Sequence, residues 1–131
     1  QQGGAIMNLS STAGLFGYPM RSPYASAKWA IVGLSKTMAM ELGPFNIRVN
    51  CICPGAVNGE RMDRVISSIA EATGESLEKV REDNVKNTSM TTFVDAEDIA
   101  NMIVFSFSDL GAKISGQSLT VDGDTHSLAT Y

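Results

Sequence analysis

The spacing of apolar residues changes rhythm along the chain, and each change marks an element. After Gly3-Gly4, the segment Ala5-Ile6-Met7-Asn8-Leu9 is a short and almost wholly apolar run, the pattern of a strand buried on both faces. Ser10 to Pro23 (SSTAGLFGYPMRSP) is rich in Ser, Gly, Thr and Pro and predicts a loop leaving the C-terminal end of that strand. From Tyr24 to Leu42 the composition turns to Ala, Leu, Met, Lys and Glu without Pro, and Gly43-Pro44 supplies a stop, so the longest helix is expected there. Ala25, Trp29, Ile31, Val32, Leu34, Met38, Met40 and Leu42 surround it almost completely. One face is therefore expected on a sheet and another in a subunit contact.

A second apolar run, Ile47 to Cys53, predicts another strand ended by Pro54-Gly55. Strand, loop, helix and strand in that order predict a parallel sheet with right-handed crossovers. Between Glu60 and Lys86, Met62, Val65, Ile66 and Ile69, then Leu77, Val80 and Val85, suggest two short amphipathic helices broken near Thr73-Gly74, a charged and mobile insertion. Asp95 is suited to cap a helix running to Phe107, with Asp98 three residues on and Ile99, Met102, Ile103 and Phe107 as its apolar face. Ser118 to Val121 predicts a third strand between Ser115-Gly116 and Asp122-Gly123. The expected class is α/β, with three parallel strands and intervening helices. The chain opens within a few residues of a core strand, the expectation being a partial domain continued upstream.

With 131 residues, 44% of them hydrophobic and 18% charged, the chain has the makings of a packed core rather than a disordered segment. Its 10 basic and 14 acidic side chains are mixed, with a formal net charge of -4, so no basic patch points to nucleic acid or an anionic membrane. No apolar run reaches the roughly 20 residues that cross a bilayer, and the N-terminus lacks the features of a signal peptide. A cytoplasmic protein is expected. Cys51 and Cys53 share one face of a strand at a spacing poor for a disulfide, and the single histidine, His126, is far along the chain. Two buried thiols and no metal site are expected.

The chemistry-bearing pattern is Ser11 at a strand end, Tyr24 thirteen residues later at a helix start, and Lys28 one turn beyond it. Residues i and i+4 share a helix face, so the phenol and the ammonium can reach one cleft. An unperturbed tyrosine titrates near ~10 and exchanges protons poorly at neutral pH, whereas a neighbouring cation favours the phenolate and makes it a usable general acid/base. Taken alone, Tyr and Lys at this spacing also occur in many helices by chance.

The surrounding motifs change that balance. N-L-S-S-T-A-G, then Y-A-S-A-K, then N-I-R-V-N-C-I-C-P-G, then I-S-G-Q-S-L-T-V-D-G, in this order, closely resemble the second half of the short-chain dehydrogenase/reductase family over about residues 3 to 123. The resemblance implies the C-terminal part of a Rossmann-like doubly wound sheet, with the cofactor NAD or NADP and a small carbonyl or secondary-alcohol substrate. It implies that Ser11, rather than Ser10, which is one position too close to Tyr24, polarises the substrate oxygen. Tyr24 exchanges the proton, and Lys28 both assists Tyr24 and holds the nicotinamide ribose. Pro54 and Gly55 resemble the nicotinamide-side turn, where a residue without Cβ lets the backbone approach a flat ring. Val57 matches the position whose backbone meets the carboxamide. An ordinary strand-ending turn is the other reading of Pro54-Gly55.

Substrate choice is expected from Phe16, Tyr18 and Met20 in the loop before Pro23, and from Met62 and Ile66 in a helical lid over residues 60–91; simple local packing is the other reading of each. Two departures stand out. The family often has a Thr where this chain has Gly59, and its terminal D-G-G is here Asp122-Gly123-Asp124. The family's Gly-rich phosphate-binding turn, its N-N-A-G segment and its upstream active-site Asn are expected before residue 1. The acidic or basic residue that separates NAD from NADP lies there too. A homodimer or homotetramer is expected of the complete protein. Against the enzyme stands a second hypothesis, a non-catalytic fragment serving as an assembly or binding partner.

Overall fold

The computed structural model describes residues 3–129. Strand β1 (Gly4–Leu9) pairs in parallel with β2 (Ile47–Pro54), with Gly4 opposite Ile47 and Leu9 opposite Ile52. β2 pairs in parallel with β3 (Ser118–Val121), from Cys51 opposite Ser118 to Pro54 opposite Val121. The order β1-β2-β3 makes β2 the central strand, and Val49, Asn50, Cys51, Ile52 and Cys53 are its fully buried residues. Cys51 and Cys53 lie on one face, as period-2 geometry requires, and pack with Val32, Leu15 and Ile31. Both are free thiols. On the other face Asn50 is buried but satisfied: its Nδ2 donates to the Ile114 carbonyl at 2.8 Å and its Oδ1 accepts from the Gln117 N–H at 3.1 Å.

β1 is not buried on both faces as its apolar run suggests. It is an edge strand in this sheet, and Leu9 is 57% exposed while its interior residues are half-buried. The crossover to β2 is α1 (Ser22–Leu42), which starts two residues before the expected Tyr24. Pro23 lies inside its first turn rather than closing the loop; proline lacks only an N–H that has no partner there, and its fixed φ suits the helix. α1 buries Val32 and Ser35 and leaves Trp29, Leu34 and Met40 exposed.

Between β2 and β3 lie α2 (Glu60–Thr73), α3 (Leu77–Val85) and α4 (Ala96–Phe107). The break between α2 and α3 falls at Gly74, which adopts a left-handed φ of 75°. The Asp98 carboxylate accepts from the Asp95 N–H at 2.8 Å, forming the expected capping box. The buried face of α4 departs from expectation at its last turn, where Ser106 is buried and Phe107 is 49% exposed. After α3 the chain runs antiparallel to the segment following β3. Thr88 bridges Thr125, Ser89 N–H donates to the Asp124 carbonyl at 3.0 Å, and His126 N–H donates to the Asn87 carbonyl at 3.0 Å. The helical excursion is thereby tied to the C-terminal tail. No helix among the described residues is long and apolar enough to cross a membrane.

Candidate active site

The C-terminal ends of β1 and β2 meet the start of α1, the place where parallel α/β sheets offer a cleft. The chain leaves β1 through two serines whose hydroxyls have different duties. Ser10 is buried, and its Oγ donates to the Lys28 carbonyl at 2.8 Å, fastening α1 to the strand end. Ser11 is half-buried with an extended backbone, and its Oγ accepts from the Ala13 N–H at 3.1 Å, capping a 3-10 turn over Thr12–Gly14. That leaves the Ser11 hydroxyl proton free to donate.

Tyr24 and Lys28 are both half-buried on one face of α1, with the Lys28 ammonium 5.6 Å from the centre of the Tyr24 ring. A second cation, which the sequence pattern left unremarked, stands on the same ring: the Arg21 guanidinium lies 5.2 Å from Tyr24 and 5.3 Å from Tyr18. The two rings meet edge to face at 6.3 Å. Tyr18 continues into an open groove of about 460 Å³ between Phe16–Pro19 and His126–Ala129. Trp29 Nε1 donates to the Phe16 carbonyl at 3.4 Å and holds one wall.

Of the residues expected to shape a substrate site, Phe16 and Tyr18 line this groove and the others do not. Met20 is 99% exposed at a φ of 64°, its side chain turned away from any wall. Ile66 is 2% exposed, so it is packed inside rather than presented on a lid, and Met62 is half-buried on the same helix. The tail segment His126–Ala129 was missed because its position depends on the ladder with residues 87–90, a pairing that no local pattern announces.

Pro54 closes β2, and Gly55 N–H donates to the Val121 carbonyl at 3.1 Å. A Cβ on Gly55 would lie 2.8 Å from the Asp122 Cβ and 2.9 Å from its Cα. The chain itself therefore demands glycine here, because the end of β3 passes where a side chain would stand. Val57 bridges Val94 through its neighbours: Val94 N–H donates to the Ala56 carbonyl at 2.9 Å and Asn58 N–H to the Val94 carbonyl at 2.8 Å. Val57's own N–H and carbonyl face away from that bridge and take no hydrogen bond among the described residues. Gly59, where the family often has Thr, holds φ 144° and ψ 178°, a conformation in which a residue with Cβ is strained.

Burial, followed by the neighbouring Cys51, pushes the Cys53 thiol up to about 12, so it stays protonated beneath the site.

A family model described as enoyl-(acyl carrier protein) reductase matches residues 1–126. Trans-4-hydroxycyclohexanecarboxylate dehydrogenase of Sinomonas cyclohexanicum is 36% identical over 92% of this chain and 40% of its own length. A short chain dehydrogenase family protein from Francisella tularensis superposes with a TM-score of 0.88 at 26% identity, covering 94% of this chain and 51% of that one. L-sorbose reductase from Gluconobacter frateurii, solved with NADPH and L-sorbose, gives a TM-score of 0.88 at 27% identity over 95% of this chain and 48% of that one. The chain thus spans about half the length of the proteins it matches. The shared Rossmann-like parallel sheet and a family match over nearly every residue carry one conclusion: the chain belongs to the short-chain dehydrogenase/reductase family.

Proposed function

We propose that Ser11, Tyr24 and Lys28 form the proton-transfer centre of an NAD- or NADP-dependent oxidoreductase acting on a carbonyl or secondary alcohol, and that these residues belong to the catalytic half of its domain. The observation that carries the reading is the Lys28 ammonium 5.6 Å from the Tyr24 ring on one helix face. The bond from Ser10 to the Lys28 carbonyl holds that face against the strand that delivers Ser11.

The backbone after β2 suits a nicotinamide dinucleotide. Val57 turns away from Val94 an N–H and a carbonyl that are unpaired among the described residues, the complement a carboxamide requires. Tyr24, Lys28, Pro54, Gly55 and Val57 would hold the nicotinamide end, with Gly55 serving the fold as well. Such a cofactor, when bound, supplies or accepts the hydride. The chain's own part is acid/base work. In reduction the Tyr24 hydroxyl gives its proton to the substrate oxygen while Ser11 donates a hydrogen bond to that oxygen; in oxidation Tyr24 takes the proton back. Lys28 keeps positive charge beside the phenol as negative charge develops on it.

The relatives act on a hydroxycyclohexane carboxylate and on L-sorbose, so family membership alone names no substrate. The exposed Trp29 and Met40, on one side of α1, are consistent with a homodimer or homotetramer. The proposal places the protein in the cytoplasm, where Cys51 and Cys53 remain reduced. The free edge of β1 favours, as a second reading, a non-catalytic assembly partner.

Tyr24→Phe in the complete protein decides between them. It should lower turnover by about 10²–10⁴-fold while melting temperature stays near wild type and dinucleotide affinity falls far less than turnover. Turnover equal to wild type sinks the proposal.

A further inference from the structure

The first forty residues isolate one cation. Residues 1–40 contain no Asp or Glu, and their only charged side chains are Arg21, Lys28 and Lys36. Lys36 is engaged with the Gly116 carbonyl at 3.0 Å, and Lys28 stands beside Tyr24. Arg21 is exposed at the start of α1, whose first turn holds no acidic residue. Among the described residues its guanidinium makes no hydrogen bond and no ion pair; the ion pairs there are Lys79 and Lys86 with Asp83, and Arg81 with Asp63. The carboxylates of Asp122 and Asp124, in the segment that leads into the His126–Ala129 wall, are already used. Asp122 accepts from the N–H groups of Asp124 and Thr125, both at 3.1 Å, and Asp124 accepts from the Ser89 hydroxyl.

Arg21 is nevertheless held in place. Its guanidinium sits in the corner between the Tyr18 and Tyr24 rings, 5.3 and 5.2 Å from their centres. Contact with ring faces steadies the group through its π-surface and leaves the edge of the fork, with its N–H donors, free. One of those rings lines the groove and the other is the proposed proton donor. A small molecule with its oxygen at Tyr24 and its body toward Tyr18 passes the donors of Arg21.

We infer that Arg21 is a specificity-determining residue that binds an anionic group of the substrate, a carboxylate or a phosphate, a few bonds from the carbon that is oxidised or reduced. The inference rests on the proton-transfer reading of Tyr24 and gives it a substrate class: small hydroxy acids or hydroxyalkyl phosphates and their oxo counterparts. The planar fork suits either anion through paired N–H···O bonds, which an ammonium does not reproduce.

The test uses the complete protein and matched secondary alcohols, 3-hydroxybutyrate against its methyl ester and a hydroxyalkyl phosphate against the uncharged diol. Wild type should prefer one of the charged members by about tenfold or more in kcat/KM, chiefly through KM, as a charge-assisted bidentate bond provides. The preferred pair identifies carboxylate or phosphate. Arg21→Gln should bring that ratio close to unity, and Arg21→Lys should restore part of it. In equilibrium titrations, malonate or inorganic phosphate should saturate wild type and the Tyr24→Phe variant, malonamide should not, and Arg21→Gln should lose the saturation.

Equal or reversed preference in wild type, a ratio untouched by Arg21→Gln, or no anion uptake that depends on Arg21 overturns the inference. Failure of the underlying reading shows separately, as turnover that survives Tyr24→Phe.

Discussion

The hydroxyl of Ser10 donates to the main-chain carbonyl of Lys28 at 2.8 Å, across eighteen residues of sequence. Two adjacent serines are thereby divided between structure and chemistry. Ser10→Ala removes the bond, while the Lys28 carbonyl keeps its place in the α1 ladder, so it should lower unfolding free energy by about 0.5–1.5 kcal/mol in a urea titration. Ser11→Ala should cost less stability, the loss of one cap to the 3-10 turn, yet reduce turnover far more than Ser10→Ala does. Equal turnover losses in the two variants would contradict that division.

Gly55 meets the end of β3, with a Cβ at that position placed 2.8 Å from the Asp122 Cβ. Gly55→Ala should destabilise the protein by about 1–3 kcal/mol, since two backbone segments must separate. The melting temperature should fall even without any dinucleotide present, which a purely cofactor-facing glycine would not produce.

Cys53 gives the fold a pH dependence on the alkaline side. Its folded thiol is pushed up to about 12 from an ordinary 9.0, by burial first and by Cys51 second. Below the ordinary value both folded and unfolded chains keep the proton, and the contribution is fully present. As pH rises from there toward the folded value, the unfolded chain releases a proton that the folded chain retains, so stability falls. Urea midpoints measured between pH 8 and about pH 11 should decline less steeply for Cys53→Ala than for wild type. Parallel slopes would refute the assignment.

Among the described residues β1 carries an unpaired outer edge, with Leu9 57% exposed beside it. An apolar edge of this kind recruits further strands. The 131-residue chain alone should sediment as more than a monomer and bind NADH too weakly to saturate at micromolar concentration. A monomer with micromolar affinity would show that the dinucleotide site needs nothing further.

Much of this architecture was legible because its signals are local. The limits of β3, the break at Gly74 and the Asp95–Asp98 capping box follow from residues within a few positions of one another. The i to i+4 spacing of Tyr24 and Lys28 likewise brings them to one helix face without reference to the rest of the chain. An apolar run, by contrast, does not say how many neighbours a strand has. Thus β2 is enclosed and β1, nearly as apolar, is an edge.

From sequence alone came the α/β class, the three strands and the shared helix face of Tyr24 and Lys28, because periodicity, capping and motif spacing act over short stretches. Only the tertiary structure decided that Ser10 anchors Lys28, that Gly55 yields to Asp122, that Ile66 is packed inside while Met20 is exposed, and that Arg21 rests on two tyrosines. Those outcomes depend on which distant segments come into contact, and burial and steric exclusion are properties of the packed chain rather than of any single stretch of it.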